Sequence, residues 1–355
     1  MSVSVSISQT MTSKLPPEDP LAITDQDLLP ANLVLPDYVT QLRLISSGGM
    51  GAVFEAKHKI TGQRLAVKVL LPKLLDDETS RKRFVQEANT IKALSSAHIV
   101  TSFDYGTPEL KAPYMVMEFI EGTTLAARIK EKGPLDLETA LEVFIQVATG
   151  LSHAHASGII HRDIKPSNIM LGTANGDDVA VKIVDFGMAK FYRDQAALKE
   201  ALTISGNIVG TPLFMSPEQC LAKPLDVRSD IYSLGCVMYL AATGELPING
   251  ATVVEMFSKH VSTLVDVSIL DEPLKSVISR CLEKNPDDRY QSVEELKADL
   301  VRIQQVGKAR FHLTGSQKTS LKKTVLSVIW VLGGFAVGYM VMVFSLQWLA
   351  TTGSP

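Results

Sequence analysis

A polar loop near the middle of the chain concentrates side chains that can do chemistry. Its sequence, IHRDIKPSN, places two oxygen ligands, Asp163 and Asn168, close to one cation, Lys165. A further carboxylate, Asp185, follows the apolar stretch VKIVD, which has the pattern of a short buried strand. The sequence therefore offers oxygen ligands and a positive charge from neighbouring segments.

A glycine cluster near the start of the chain is a second candidate. In the stretch SGGMGAV, Gly48, Gly49 and Gly51 lie at a predicted turn between two strands. Without side chains, the backbone N–H groups at such a turn can approach phosphate oxygens closely. A plain hairpin turn explains the glycines equally well, so this pattern alone leaves both interpretations open.

Lys68 is the third candidate, because it stands among apolar residues in LAVK on a strand expected to be half-buried. A buried ammonium needs a partner, and Glu87 in the predicted helix RFVQEANTIKAL can supply one. The alternative is a surface lysine and a surface glutamate that do not meet. Their spacing does not decide between the two.

The elements that must position these residues change along the chain. Period-two stretches such as VTQLRLIS, AVFEAKH, RLAVKVL and APYMVMEF predict short strands, whereas longer amphipathic runs dominate after Leu135. We therefore predict a small strand-rich lobe followed by a larger helical lobe, together covering residues 38–305.

Taken as a set, these motifs resemble a known family. GGMG, IIHRDIKPSN, VDFGMAK and GTPLFMSPEQ are similar to the motifs of the eukaryotic-type (Hanks-type) serine/threonine protein kinases of bacteria, in the same order and at the same spacings. The resemblance implies an α+β bilobal kinase fold with a β-rich N-lobe and an α-helical C-lobe. It also implies transfer of the γ-phosphate of ATP to Ser/Thr hydroxyls of protein substrates.

The resemblance assigns roles to the catalytic residues. Asp163 would accept or orient the proton of the substrate hydroxyl, Lys165 would neutralise charge on the transferred phosphoryl group, and Thr211 would bridge these two. Asp185 and Asn168 would hold Mg²⁺, or Mn²⁺ in its place. The lysine two residues after Asp163, together with Gly210-Thr211, is the serine/threonine rather than the tyrosine pattern.

The resemblance also predicts an ATP site. Lys68 would bind the α- and β-phosphates while paired with Glu87, and adenine would lie in an apolar slot with Met117 as gatekeeper and residues 118–120 as the hinge. The expected ATP-binding residues are Ile45, Ser46, Ser47, Gly48, Gly49, Met50, Gly51, Val53, Ala66, Lys68, Glu87, Met117, Glu118, Ile120 and Met170.

One position departs from the family pattern, because Ser46 stands where the glycine-rich loop normally begins with glycine. Since serine cannot take every glycine conformation, we expect weaker ATP binding rather than inactivity. Two further pairings are expected to be structural: Glu218 with Arg289, and Asp230 with the catalytic loop.

Regulation is expected at the segment ALTISGNIVGTP. Arg162, beside the catalytic aspartate, marks kinases in which a phosphate near this arginine offsets its charge and orders the segment. Thr203 and Ser205 are the candidate autophosphorylation sites. Ordinary loop hydroxyls are the alternative interpretation.

The composition indicates an apolar segment outside the catalytic region. The 355 residues are 46% hydrophobic, and the mean hydropathy of +0.15 is high for a soluble globular protein. Residues 324–350 contain no charged residue or histidine, and as a helix they would extend about 40 Å at about 1.5 Å per residue. We predict one C-terminal transmembrane helix, with Trp330 and Trp348 near the two interfaces.

The charges around this segment predict its orientation. The basic linker 306–323 precedes the span and no cation follows it, so the positive-inside rule places the kinase domain in the cytoplasm and the short tail, 351–355, outside. A single-pass protein of the cell membrane is therefore expected. Residues 1–37, rich in Ser, Thr and Pro, are expected to form a flexible leader without a signal peptide.

Several partners and alternative classes follow from the same data. Gly334 and Gly338 form a G-x-x-x-G pair that can pack two spans, so a homodimer is one open alternative. The net charge of -3 gives no positive electrostatic field that would attract nucleic acid. Cys220, Cys236 and Cys281 are expected to be buried thiols.

A membrane-attached pseudokinase scaffold and a small-molecule kinase are the competing functions. The complete catalytic set argues against the first, and the substrate-binding segment GTPLFMSPE, which the resemblance implies, argues against the second.

Overall fold

The computed structural model describes residues 27–106, 112–173, 179–186 and 212–306. These residues form a strand-rich lobe followed by a helical lobe, so the predicted α+β bilobal architecture is confirmed. The four stretches that predicted strands before Leu135 are strands, and the stretch that predicted a helix around Glu87 is a helix.

The N-lobe is one antiparallel sheet with the strand order β1-β2-β3-β5-β4. The helix α1 lies between β3 and β4 in the chain. Asp77 caps its N-terminus, because the Asp77 carboxylate accepts the backbone N–H groups of Thr79 and Ser80. Such a cap satisfies N–H groups that have no partner within the helix. The elements are β1 Val39–Ser47, β2 Gly51–His58, β3 Arg64–Leu70, α1 Glu78–Lys92, β4 Ser102–Tyr105 and β5 Tyr114–Glu118.

The residues just before β1 differ from the predicted flexible leader. Leu28, Leu29, Leu33 and Leu35 are partly buried and pack against the buried cluster of the sheet, which includes Phe54. Burying apolar surface on the sheet stabilises this arrangement. The N-lobe therefore includes residues 28–35, which the prediction assigned to the flexible leader.

The C-lobe combines a small sheet with most of the helices. Its strand order is β6-β7-β8, and its central helix, α5, is buried along most of its length. The elements are β6 Gly122–Thr124, α2 Leu125–Lys132, α3 Leu137–Ala156, β7 Ile169–Thr173, β8 Val179–Ile183, α4 Pro217–Cys220, α5 Val227–Thr243, α6 Val253–Ser262, α7 Leu274–Cys281 and α8, residues 293–306. Cys220, Cys236 and Cys281 are free and buried, as predicted.

Several predictions fall on residues outside the described ranges. These are Thr203 and Ser205, Thr211, the first 26 residues of the predicted leader, residues 307–323 of the predicted linker, the predicted span 324–350 and the tail that follows it. Among the residues that the structure does describe, no helix has the length and apolar character needed to cross a bilayer.

Candidate active site

Asp230 on α5 binds the backbone of the loop that carries Asp163. The Asp230 carboxylate accepts the backbone N–H groups of His161 and Arg162, each at 2.8 Å. Nε2 of His155 on α3 lies 2.8 Å from the same carboxylate. These contacts confirm that Asp230 braces the loop, in which Arg162 has a φ of 67°.

The charge state of this brace follows from its contacts. Burial alone would raise the pKa of the Asp230 carboxyl, but the hydrogen bond from His155 and the backbone donors hold that pKa below its ordinary value. Asp230 therefore stays ionised, which strengthens its hydrogen bonds to the loop.

His161 links the loop to the strand that leads to Asp185. Its Nδ1 accepts the Asp163 N–H at 3.2 Å, so Nε2 carries the proton and donates to the Val184 carbonyl at 3.1 Å. Its ring meets the edge of Phe186 at 4.6 Å between centroids. Burial lowers the pKa of His161, so the ring is neutral at pH 7.

The structure brings the predicted catalytic residues of this loop together. Lys165 Nζ donates to Asp163 Oδ2 at 2.7 Å. The buried Asn168 amide donates to the Asp163 backbone carbonyl at 2.9 Å and to Oδ2 at 3.3 Å. A carboxylate, an ammonium and an amide oxygen thus share one small region, while Thr211 lies outside the described residues.

Lys68 joins the two lobes at this region. From β3, its Nζ donates to Glu87 Oε1 on α1 at 2.7 Å and to Asp185 Oδ1, beyond β8, at 2.8 Å. Lys68 and Glu87 are both buried. The interpretation of Lys68 and Glu87 as unconnected surface residues is therefore wrong.

The environment shifts the pKa values of Lys68, Glu87 and Asp185 in different directions. Burial works against the Lys68 ammonium, but the two carboxylates raise its pKa above the ordinary value, so the cation persists. Burial raises the pKa of Glu87 to about 7, because Lys68 offsets only part of the cost and Asp185 adds a second negative charge. Burial also opposes ionisation of Asp185, yet Lys68 holds the pKa of Asp185 below its ordinary value.

The glycine turn lies directly before β2. The Gly48 N–H donates to the Gly51 carbonyl at 2.9 Å, and a Cβ on Gly51 would lie 2.7 Å from the Val69 carbonyl oxygen. Ser46, Ser47 and Gly49 are exposed, and Met50 is half-buried. Ser46 is not among the residues with a positive φ, so no backbone strain accompanies serine at this position.

The residues predicted to contact adenine come from both lobes. Ala66 on β3 pairs in register with Met117 on β5, and both are buried. Val53, Met170 and Ile120 are half-buried, and Ile45 is 48% exposed. At the start of the hinge, the Glu118 N–H donates to the Thr101 carbonyl at 3.0 Å.

The chemistry of the nearby donors fits Mg²⁺. Asp185 and Asn168 offer carboxylate and amide oxygens, and the Asn168 nitrogen is already used in bonds to Asp163. Within the described ranges, no group of three or more His, Cys, Asp or Glu could hold a metal ion. Two protein oxygens suit an ion that completes its shell with phosphate oxygens and water.

Other side chains at the site were not found from the sequence. His155 reaches Asp230, and Gln219 Nε2 donates to the Arg162 carbonyl at 2.7 Å. Lys182 bonds the carboxylate of Glu118 at 2.6 Å. None of these three belongs to a motif whose spacing points to its partner.

The predicted Glu218–Arg289 pair is confirmed. Arg289 donates to both carboxylate oxygens of Glu218, at 2.8 and 3.0 Å, and Ser229 adds a third bond at 2.6 Å. Burial alone would raise the pKa of Glu218, but Arg289 holds it below the ordinary value. The pair anchors the segment that follows Ser216.

A two-lobed fold with a lysine tied to a helix glutamate and to an aspartate of the other lobe defines the protein kinase class. The protein kinase domain family matches residues 39–301, and the chain belongs to this family.

Curated relatives agree with this assignment. The chain is 38% identical over 288 residues to the serine/threonine-protein kinase PknB of Mycobacterium tuberculosis, covering 78% of this chain and 45% of that protein. It is 37% identical to the PknB proteins of Mycolicibacterium smegmatis, covering 78% of this chain and 45% of that protein, and of Mycobacterium leprae, covering 73% and 42%. The chain thus spans less than half the length of these relatives.

Proposed function

We propose that this protein is a serine/threonine protein kinase that transfers the γ-phosphate of ATP to Ser/Thr hydroxyls of proteins. The observation that carries the proposal is the position of Lys68 Nζ, 2.7 Å from Glu87 and 2.8 Å from Asp185. This arrangement holds a cation between the lobes, where the phosphates of a nucleotide would meet it.

The residues divide the work of phosphoryl transfer. The transition state is loose and places charge on the phosphoryl oxygens, so catalysis depends on positioning and charge. Lys68 binds the α- and β-phosphates, and Lys165 neutralises the transferred group. Asp163 orients the acceptor hydroxyl and takes its proton. Mg²⁺ or Mn²⁺, held by Asp185 and Asn168, supplies further positive charge when bound.

The acceptor class is supported by the loop and by the relatives. Lys165 donates to Asp163, so a cation lies next to the proposed base. The relatives named above are serine/threonine-protein kinases. Thr211 is proposed to bridge Asp163 and Lys165.

The test is transfer of label from γ-labelled ATP to a generic basic protein such as myelin basic protein, by the full chain in detergent. Asp163→Asn is expected to lower the rate by about 10² to 10⁴, the usual cost of removing a general base. Asp271→Asn, an exposed residue of the C-lobe, is the matched control and keeps the wild-type rate. A wild-type chain that binds Mg-ATP but labels nothing would favour the scaffold alternative.

Autophosphorylation at Thr203 or Ser205 belongs to the same proposal. The Nε of Arg162 is buried and has no hydrogen-bond partner among the described residues. A phosphate placed near this arginine would supply one. Mass spectrometry after incubation with Mg-ATP is expected to find at least one site modified, and two unmodified sites in an active enzyme would contradict this.

Membrane anchoring through residues 324–350 is also proposed, with the kinase domain in the cytoplasm and the bilayer as a partner. The uncharged 27-residue stretch with basic residues only on its N-terminal side supports this. Deleting residues 324–355 is expected to move the protein from the membrane fraction to the soluble fraction. An unchanged distribution would overturn this part of the proposal.

Weaker ATP binding caused by Ser46 stays a prediction. Because Ser46 has an ordinary backbone conformation, any effect must come from its side chain beside the nucleotide. Ser46→Gly is expected to lower the KM for ATP, and an unchanged KM would contradict this.

A further inference from the structure

Gln219 links the short helix α4 to the catalytic loop and has no part in the mechanism above. It lies on α4 and is buried. Its Nε2 donates to the backbone carbonyl of Arg162 at 2.7 Å, although the two residues are 57 positions apart in the chain. This carbonyl belongs to the peptide bond that joins Arg162 to Asp163, the proposed base.

The orientation of the Gln219 amide follows from its two partners. Its Oε1 accepts the Ser216 N–H at 2.9 Å, while its Nε2 donates to the Arg162 carbonyl. A backbone N–H only donates and a carbonyl oxygen only accepts, so the amide oxygen and nitrogen cannot be exchanged. The two contacts therefore require a side chain that accepts at one atom and donates at another, as glutamine does.

The peptide bond between Arg162 and Asp163 is held at both of its polar atoms. Gln219 binds the carbonyl oxygen, and Nδ1 of His161 accepts the Asp163 N–H at 3.2 Å. This peptide directly precedes the Asp163 Cα, so its rotation would redirect the Asp163 side chain. The two contacts together therefore restrain the direction of the proposed base.

The backbone of Arg162 needs this support, because its φ of 67° lies in the left-handed region. A residue with a Cβ seldom adopts this conformation and keeps it where the surroundings fix it. Asp230 holds the Arg162 N–H at 2.8 Å. A carboxylate only accepts, so it cannot hold the carbonyl as well. Gln219 supplies the donor for that carbonyl.

The helix that carries Gln219 is itself braced. The neighbouring Glu218 accepts from Arg289 at 2.8 and 3.0 Å and from Ser229 at 2.6 Å. The Ser216 hydroxyl accepts the Gln219 N–H at 3.3 Å and caps the helix. The Gln219 side chain therefore reaches the loop from a fixed position.

We propose that Gln219 is a positioning residue for phosphoryl transfer: its amide holds the Arg162 carbonyl and so sets the direction of the Asp163 carboxylate. The inference rests on the proposed function for the role of Asp163. The contact with the loop can be tested without catalysis.

The first measurement is amide hydrogen exchange in the full chain in detergent. Gln219→Met keeps the length of the side chain and removes both the donor and the acceptor. Exchange in the segment 161–164 is expected to be about three to ten times faster than in the wild type, the range given by one net hydrogen bond. Unchanged exchange in this segment would overturn the proposal.

The matched control for this substitution is Gln146→Met. Gln146 on α3 donates to the Val179 carbonyl at 2.8 Å and accepts the Val181 N–H at 3.0 Å. Its replacement removes the same two kinds of hydrogen bond, but these bonds are made with β8 rather than with the catalytic loop. Gln146→Met is therefore expected to leave exchange in 161–164 at the wild-type rate.

The second measurement separates phosphoryl transfer from nucleotide binding, at a temperature well below the unfolding midpoint of every variant. Gln219→Met is expected to lower kcat for myelin basic protein about three- to tenfold. The KM for ATP and the Kd for Mg-ADP are expected to stay at their wild-type values, because the side-chain hydrogen bonds of Gln219 go to Ser216 and Arg162, neither of which is predicted to bind ATP. Gln146→Met is expected to keep the wild-type kcat.

A second variant covers the case in which Gln219→Met does not fold. Gln219→Asn keeps the amide but is one methylene shorter, so it cannot make both bonds from the same backbone position. It is expected to give the same faster exchange and the same loss of kcat.

The outcomes are distinct. A loss of kcat that is equal in Gln219→Met and Gln146→Met would show a general structural effect and overturn the proposal. A wild-type chain that labels no protein would defeat the proposed function, while the exchange measurement would still decide whether Gln219 holds the loop.

Discussion

Glu118 and Lys182 form an ion pair that connects the hinge to the strand before Asp185. Lys182 Nζ on β8 lies 2.6 Å from Glu118 Oε1, and the same oxygen accepts the Thr101 N–H at 2.7 Å. Both side chains are about one-fifth exposed, at 21% and 22%. The pair therefore restrains the start of the hinge through the side chain of Glu118.

Lys182→Met is expected to destabilise the protein by about 1 kcal/mol, because Glu118 loses a charged donor in a partly buried place. The free energy of unfolding from urea titration measures this. Lys82→Met is the control, since its partner Glu78 and Lys82 itself are 69% and 77% exposed, and exposed pairs contribute little. Equal losses in both variants would contradict the importance of the hinge pair.

Gly51→Ala and Gly48→Ala are expected to differ in stability. A Cβ on Gly51 would lie 2.7 Å from the Val69 carbonyl, whereas the nearest atom to a Cβ on Gly48 is 3.9 Å away. The first substitution must push two paired strands apart, at a cost of about 1 to 3 kcal/mol. Thermal unfolding of the two variants checks this, and a Gly51→Ala variant as stable as Gly48→Ala would refute the steric argument.

Arg289→Lys is expected to destabilise the C-lobe by about 3 to 5 kcal/mol, although it keeps the charge. The guanidinium satisfies Glu218 and also the backbone carbonyls of Arg228, Glu283 and Lys284. An ammonium has three donors and cannot copy this planar geometry.

The matched variant is Arg280→Lys. Arg280 is 47% exposed and lies 3.7 Å from Glu295, so its replacement is expected to change the unfolding midpoint very little. If the two variants unfold at the same midpoint, the hydrogen bonds of the buried Arg289 guanidinium do not contribute the expected stability.

The lowered pKa of His260 predicts that the protein loses stability in acid. Burial and the nearby Lys284 ammonium lower the pKa of His260 from 6.5 to about 4. The unfolded chain therefore binds a proton that the folded chain refuses, so this contribution is present above pH 6.5 and is lost as the pH falls towards 4. Between pH 7 and pH 5 the loss is about 2 kcal/mol.

Urea unfolding at the two pH values tests this contribution. His260→Gln has no titrating ring, so its stability should fall by about 2 kcal/mol less than that of the wild type over this interval. An identical fall in both proteins would show that His260 titrates normally in the folded state.

The prediction of elements succeeded where the apolar pattern was strong. The alternation in AVFEAKH predicted β2, and the amphipathic run around Glu87 predicted α1. The prediction was wrong for residues 27–37. It rested on the Ser, Thr and Pro content of the whole leader, whereas four leucines in this part of the leader pack on the sheet. Composition averages over a segment, whereas packing depends on individual side chains.

Part of the candidate site could also be predicted from the sequence. Local motif spacing placed Asp163, Lys165 and Asn168 on one loop, since residues so close in the chain share its geometry. The sequence also named both members of the pairs Lys68–Glu87 and Glu218–Arg289, which the structure forms.

What the sequence by itself determined was the family, the order of its elements and the residue types available for catalysis, because these depend on periodicity and on motifs along the chain. Only the tertiary structure decided that Lys182 meets Glu118, 64 residues away in the chain, and that the Tyr232 hydroxyl meets His260 Nδ1. Such contacts depend on how several packed elements bring distant segments together, and no local pattern encodes that distance. The physical reason is that the energy of a buried polar contact depends on its surroundings, which exist only after folding.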